Sequence, residues 1–71
     1  MYIRSQDKRE LIEFHGLQVA CLGGSYYIRP LNMDSYHIIG KYNSKERCIV
    51  VLDEIQHFLD VGAIIFEMPK E

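Results

Sequence analysis

The sequence contains no tryptophan, only two prolines and two cysteines, and no repeated or low-complexity segment. Each shortage excludes something. Two cysteines, Cys21 and Cys48, are too few for the multi-bridge scaffold of small secreted domains. Both lie in apolar patterns and read as small buried hydrophobes in a reducing compartment. No apolar run approaches the ~20 residues of a membrane-spanning helix. The charged start lacks the apolar segment of a signal peptide, so a cytoplasmic protein is expected. Neither sign of charge dominates: eight Lys and Arg against ten Asp and Glu leave a formal charge of −2. With the basic residues scattered, nothing suggests a nucleic-acid polymer as partner.

What is present is a chain of 71 residues, 48% hydrophobic and 25% charged, which is globular composition. A chain of this size makes one domain, 1–71, and buries roughly 60% of the surface exposed when unfolded. Tyr2 to Arg4 suits a strand. Asp7 to Glu10 is turn-like, and Leu11 to Phe14 is a short extended piece that the element order leaves out. Leu17 to Leu22 alternates, with Leu17, Val19 and Cys21 on one face. Gly23-Gly24 signals a hairpin, and Ser25 to Arg29 is its return strand. Pro30 donates no backbone hydrogen bond, so pairing should end there or lie at an edge. Asn32, Asp34 and Ser35 supply a turn before a strand from Tyr36 to Tyr42.

One helix follows. Asn43 with Glu46 fits a capping arrangement, and Ser44 is the rival cap. Cys48, Val51, Leu52, Ile55, Phe58 and Leu59 recur as a helical stripe over sixteen or so residues, and Gly62 is the stop. Ala63 to Met68 is a last strand, ended by Pro69. The order β-β-β-β-α-β predicts an α+β fold: a small, mainly antiparallel sheet with one amphipathic helix packed on one face. Parallel pairing of the last strand is open to it, because the helix supplies a crossover.

That architecture has a counting problem. One helix covers one face, yet several strands carry apolar groups on both, and Ile49 and Val50 widen the helical stripe. Either polar residues such as Gln18, Arg29, Lys41 and Glu67 keep the second face wet, or that face or a sheet edge joins copies into a homo-oligomer. We expect the oligomer.

Chemistry is sparse. His15, His37, His57, Cys21 and Cys48 share no ligand spacing, so no metal is expected. No nucleophile elbow, phosphate loop or dinucleotide fingerprint is present, and Asp53 and Glu54 diverge on a helix. No enzyme and no cofactor are expected. A ligand site is harder to set aside than a metal or an enzyme. Arg4, Ser5, Gln6, Asp7 and Lys8 offer charge and directional hydrogen bonds to an anion or nucleotide. Tyr27 and Arg29 add a stacking face and a guanidinium. For that cluster the favoured reading is plainer: Ser5 to Lys8 form a strand end and turn, with Asp7 bonding nearby backbone, because such local bonding is common.

The opening MYIRSQDKRELI resembles the start of small, largely uncharacterised proteins encoded by phages and prophages of Gram-positive bacteria, with the pattern M-x-I-R-S-Q-D-K-x-x-L. Tyr42 to Ile55, YNSKERCIVVLDEI, and Phe66 to Pro69, FEMP, resemble their later part and end. The resemblance spans most of the chain and implies a phage or prophage gene acting in a bacterial host's cytoplasm. It points to an accessory binding protein, an anti-defence factor that inhibits a host protein or sequesters a nucleotide signal between subunits. A structural or regulatory interaction module without a small ligand is the alternative.

Overall fold

The structure is a computed structural model that describes residues 1–34 and 36–71. Ser35, which the sequence groups with Asn32 and Asp34 in a turn, lies outside the described residues. The elements are β1 (Tyr2–Arg4), β2 (Leu11–Glu13), β3 (Leu17–Leu22), β4 (Ser25–Pro30), β5 (Gly40–Tyr42), α1 (Lys45–Asp60) and β6 (Ile65–Glu67). The fold is α+β, with strands before the single helix and one strand after it. The strands form two three-stranded sheets, β2-β1-β6 and β3-β4-β5. Three of the four strand pairings are antiparallel. The fourth sets β6 parallel to β1, with α1 in the connection.

The short piece omitted from the sequence-based order is a real strand. Ile12 stands opposite Ile3 and is buried with it, so one inward side chain is enough to fix its register. The predicted strand from Tyr36 shrinks to Gly40–Tyr42. Asp34 Oδ1 takes the Tyr36 N–H at 2.8 Å, and His37 N–H bonds to Asp34 O at 2.9 Å. The chain therefore turns before it pairs. Ile39 then drops into the core while Ile38 stays exposed.

The long hairpin follows its glycines. Gly23 and Gly24 have φ of 58° and 80°, which is the two-residue turn that matches strand twist. It pairs Leu22 with Ser25 and, further along, Val19 with Ile28 and Gln18 with Arg29. Pro30 closes β4 opposite Leu17. The Leu31 N–H bonds to Gly16 O one step on, so Pro30 occupies a position where no donor toward β3 is required.

Helix α1 starts on Ser44, whose Oγ accepts the Arg47 N–H at 3.0 Å, so the rival cap is the one used. This contact is worth about 1 kcal/mol. The helix ends on Gly62 at φ 75°, with Gly62 N–H to Leu59 O and Ala63 N–H to Phe58 O. Cys48, Val51 and Ile55 face inward. They meet Ile28, Ile39 and Tyr42 from one sheet and Ile3, Ile12 and Phe66 from the other. Both sheets and the helix thus share a single core. Cys48 is buried as expected, but Cys21 is exposed, because β3 ends beyond the reach of the helix stripe. No described helix is long and apolar enough to cross a membrane.

Candidate functional site

The polar cluster after β1 is built from the backbone outward. Lys8 N–H bonds to Ser5 O at 3.0 Å, which closes a tight turn, and Ser5 N–H bonds to Glu10 O at 3.0 Å. Ser5 is buried and its hydroxyl is used twice, donating to Asp7 Oδ1 at 2.7 Å and accepting from Glu10 N at 3.0 Å. Asp7 Oδ1 also accepts from Arg9 N at 3.0 Å. The Ser5 hydroxyl, and after it the Arg9 N–H, hold the Asp7 carboxyl below the ordinary carboxylate range. Lys8 sits at φ 69°, a left-handed conformation, and its Nζ meets Glu67 Oε1 at 2.8 Å. That ammonium holds the Glu67 carboxyl low.

Gln6 does the most. Its N–H bonds to Ile39 O at 2.8 Å. Its side-chain Oε1 accepts the Lys41 N–H at 2.8 Å while Nε2 donates to Lys41 O at 2.9 Å. Nε2 also reaches Lys70 O at 2.7 Å and Pro69 O at 3.2 Å. The amide imitates one residue of a β-ladder along β5 and ties the two sheets and the chain's last segment together. Of the five residues, Ser5, Gln6 and Asp7 have their polar groups committed to the framework. The Arg4 side chain has a 3.4 Å contact to Lys8 O and lines a broad depression, about 690 Å³, beside Glu54 and Glu67. Both carboxylates are already paired with cations, Glu67 with Lys8 at 2.8 Å and Glu54 with Arg47 at 3.5 Å, so the depression is a surface ion-pair network and not a cluster of free cations.

Tyr27 and Arg29 stand elsewhere. They alternate on the outer face of β4, away from the core, and none of Arg4 to Lys8 lines their cleft. That cleft, about 440 Å³, is lined by Gln18, Ala20, Cys21, Leu22, Tyr27, Arg29, Tyr36 and Ile38. Arg29 Nη1 donates to Gln18 Oε1 at 2.7 Å, its cross-strand partner on β3, which tethers the guanidinium to the sheet. Lys41 pairs with Tyr27 between β4 and β5 but does not line the cleft. Among the described residues no carboxylate lines the cleft. Tyr36, 82% exposed, forms its outer lip. The sequence reading placed Gln18 on the wet face and Ile38 in a strand, but joined neither to a site. Gln18 was findable, since a two-residue turn at Gly23-Gly24 dictates that it faces Arg29.

Tyr42 anchors the underside of this sheet. Its hydroxyl donates to Pro69 O at 2.8 Å, and the Arg47 guanidinium lies 5.8 Å from its ring centre. Burial pushes the phenol up to about 12, against the opposing pull of Arg47. Below pH ~10 the group is protonated whether the chain is folded or not, so it adds no pH dependence there. Between pH ~10 and about 12 the unfolded chain releases the proton and the folded one does not. Stability is expected to fall across that window. Urea unfolding of Tyr42→Phe beside the parent should show a shallower decline, and an identical decline would refute the assignment.

Among the described residues no group of three or more His, Cys, Asp and Glu is placed to hold a metal. No protein-family model matches the chain, and neither the curated proteins nor the solved structures give a match.

Proposed function

We propose that this chain is a small phage or prophage accessory protein that acts by binding, and that its ligand is an anionic aromatic molecule of the nucleotide class. The observation that carries the reading is the cleft on the β3-β4-β5 sheet. Tyr27 and Tyr36 supply ring faces, Arg29 supplies a guanidinium bonded to Gln18, and no Asp or Glu is among the described residues that line it. In a chain of net charge −2, such a patch favours an anion locally. Its volume falls in the range of small-molecule sites. Sequestration of a nucleotide signal, and hence interference with a host defence, is the role that fits an accessory binder of this kind.

Thermal unfolding with a panel of linear and cyclic nucleotides tests it. A ligand at 100 times its dissociation constant adds roughly 2.7 kcal/mol, a rise of roughly 10–20 °C for a domain this small. Arg29→Ala should remove the rise, whereas Arg4→Ala should keep it. No rise with any nucleotide overturns the reading. A second reading has its own support: Ala20, Leu22 and Ile38 make much of the lining apolar, which suits a side chain of a host protein. Capture of one host protein that Arg29→Ala and Tyr27→Ala both release, with no nucleotide response, would favour that interaction module.

A further inference from the structure

The four outer strands of the two sheets are protected unequally. The free side of β5 is occupied by the Gln6 amide. β2 and β6 are three residues long and carry Glu13 and Glu67. β3 has none of these devices. It is six residues, LQVACL, without a charge or a proline, and among the described residues it pairs with β4 alone. An edge that is long, flat and uncharged is a template for another strand.

The hairpin fixes which groups point outward. With Leu22 and Ser25 closing the two-residue turn, Gln18, Ala20 and Leu22 exchange hydrogen bonds with β4. The backbone N–H and C=O of Leu17, Val19 and Cys21 are left facing the open side. We propose that a second copy of this chain occupies that side, with β3 antiparallel to its counterpart and Val19 on the two-fold axis.

Three features favour a copy over an unrelated strand. The first is register. Centred on Val19, the pairs Leu17 with Cys21, Val19 with Val19 and Cys21 with Leu17 each exchange two hydrogen bonds, and every inward side chain stays inward. Shifting the register by one residue turns the outward groups of one strand onto spent groups of the other. Shifting it by two loses a pair. The second feature is the helix flank. Leu52 and Leu59 lie beside Leu17 and Phe14 in a shallow depression on this same side. Ile49, Leu52 and Leu59 follow one another along that flank, and Ile49 and Leu59 are exposed. A strand edge alone falls short of the roughly 1,200 Å² of a stable interface. A two-fold copy brings an equal apolar helix flank against this one, which an isolated peptide strand lacks. The third is that the cleft gains by it. Gln18 and Ala20 line the cleft on β3, and across the axis Gln18 faces Ala20 of the second copy. The two clefts then share a wall and form one symmetric trough with an Arg29 and a Tyr27 on either side. This last consequence rests on the ligand reading above; the pairing does not.

Sedimentation equilibrium at about 100 µM should give twice the chain mass of 8.3 kDa. Val19→Pro should return the chain mass while β3-β4 pairing survives, because the lost N–H faces outward as it does for a proline tolerated at an edge. Cysteine pairing reports the register even if that variant fails to fold. On a Cys21→Ser background, Gln18→Cys with Ala20→Cys should oxidise to a covalent dimer, the facing Cα atoms being about 4.5 Å apart. Ala20→Cys alone should not. A parent that sediments as a single chain overturns the proposal, and so does crosslinking by Ala20→Cys alone, which places the axis elsewhere. Loss of nucleotide binding with the dimer intact would sink the ligand and leave the dimer standing.

Discussion

Gln6→Ala is expected to lower the stability of the folded chain by roughly 2–4 kcal/mol, enough to lower its melting temperature by more than ~10 °C. The side chain satisfies the Lys41 N–H and supplies donors to Lys41 O, Lys70 O and Pro69 O. Alanine strands the Lys41 N–H on the open side of β5 and cuts the tie to the chain's last segment. The neighbouring ion pair offers a useful contrast. Lys8 and Glu67 meet at 2.8 Å, but their side chains are 47% and 65% exposed, so water competes for both. Lys8→Ala should therefore change stability by less than about 1 kcal/mol. The two substitutions sit two residues apart, and a residue count of the polar cluster would rank them alike. Gln6→Glu separates geometry from size. At neutral pH a carboxylate oxygen would replace the donor facing three carbonyls, and the loss should match or exceed that of alanine. Acidification protonates the introduced group and returns one donor, so the deficit against the parent should shrink as pH falls below ~5. Urea titrations of all four chains at neutral and acidic pH decide the matter. A Gln6→Ala loss below ~0.5 kcal/mol would mean that the two sheets are held together some other way.

The same residue shows where sequence reading stops. Period and punctuation reveal local order. The hairpin at Gly23-Gly24, the helix and its end at Gly62 all follow from residue spacing and backbone freedom, and all are present, although the helix stripe that spacing carries on to Phe58 and Leu59 is buried only at Cys48, Val51 and Ile55. The division into two sheets is not local. It depends on β6 pairing with β1 from the far end of the chain, and on Ile12 answering Ile3 across a short loop. Three-residue strands carry too little alternation to announce either. The polar run from Arg4 to Lys8 has the composition of a binding site, and composition does not say whether a donor faces solvent or a carbonyl. Ser5 and Gln6 face carbonyls, carboxylate or backbone N–H groups of their own chain. Tyr27 and Arg29 were legible as a pair because they alternate on one strand. Their cleft was not, since the segment carrying Tyr36 and Ile38 leaves the strand pattern altogether.

Gly40→Ala should cost roughly 1–3 kcal/mol, although the position has ordinary backbone geometry and alanine is usually benign. The obstacle is space. A methyl at Gly40 would stand 2.8 Å from Tyr42 Cε2 and 2.9 Å from Met68 Cε. These two contacts differ in kind. Met68 Cε is the free end of a flexible side chain and gives way at small cost. The Tyr42 ring is pinned, because its hydroxyl donates to Pro69 O at 2.8 Å and the ring is buried. The missing side chain at Gly40 is therefore the room in which the ring lies, and the penalty for filling it is set by how firmly the hydroxyl holds. Tyr42→Phe alone loses that hydrogen bond, about 1 kcal/mol. In the double variant the ring is free to tilt from the new methyl, so the combined loss should fall short of the sum of the singles by roughly 1 kcal/mol. A double-mutant cycle by urea unfolding measures the shortfall. Strict additivity would place the strain on Met68 and would show that Tyr42 does not depend on the glycine beside it.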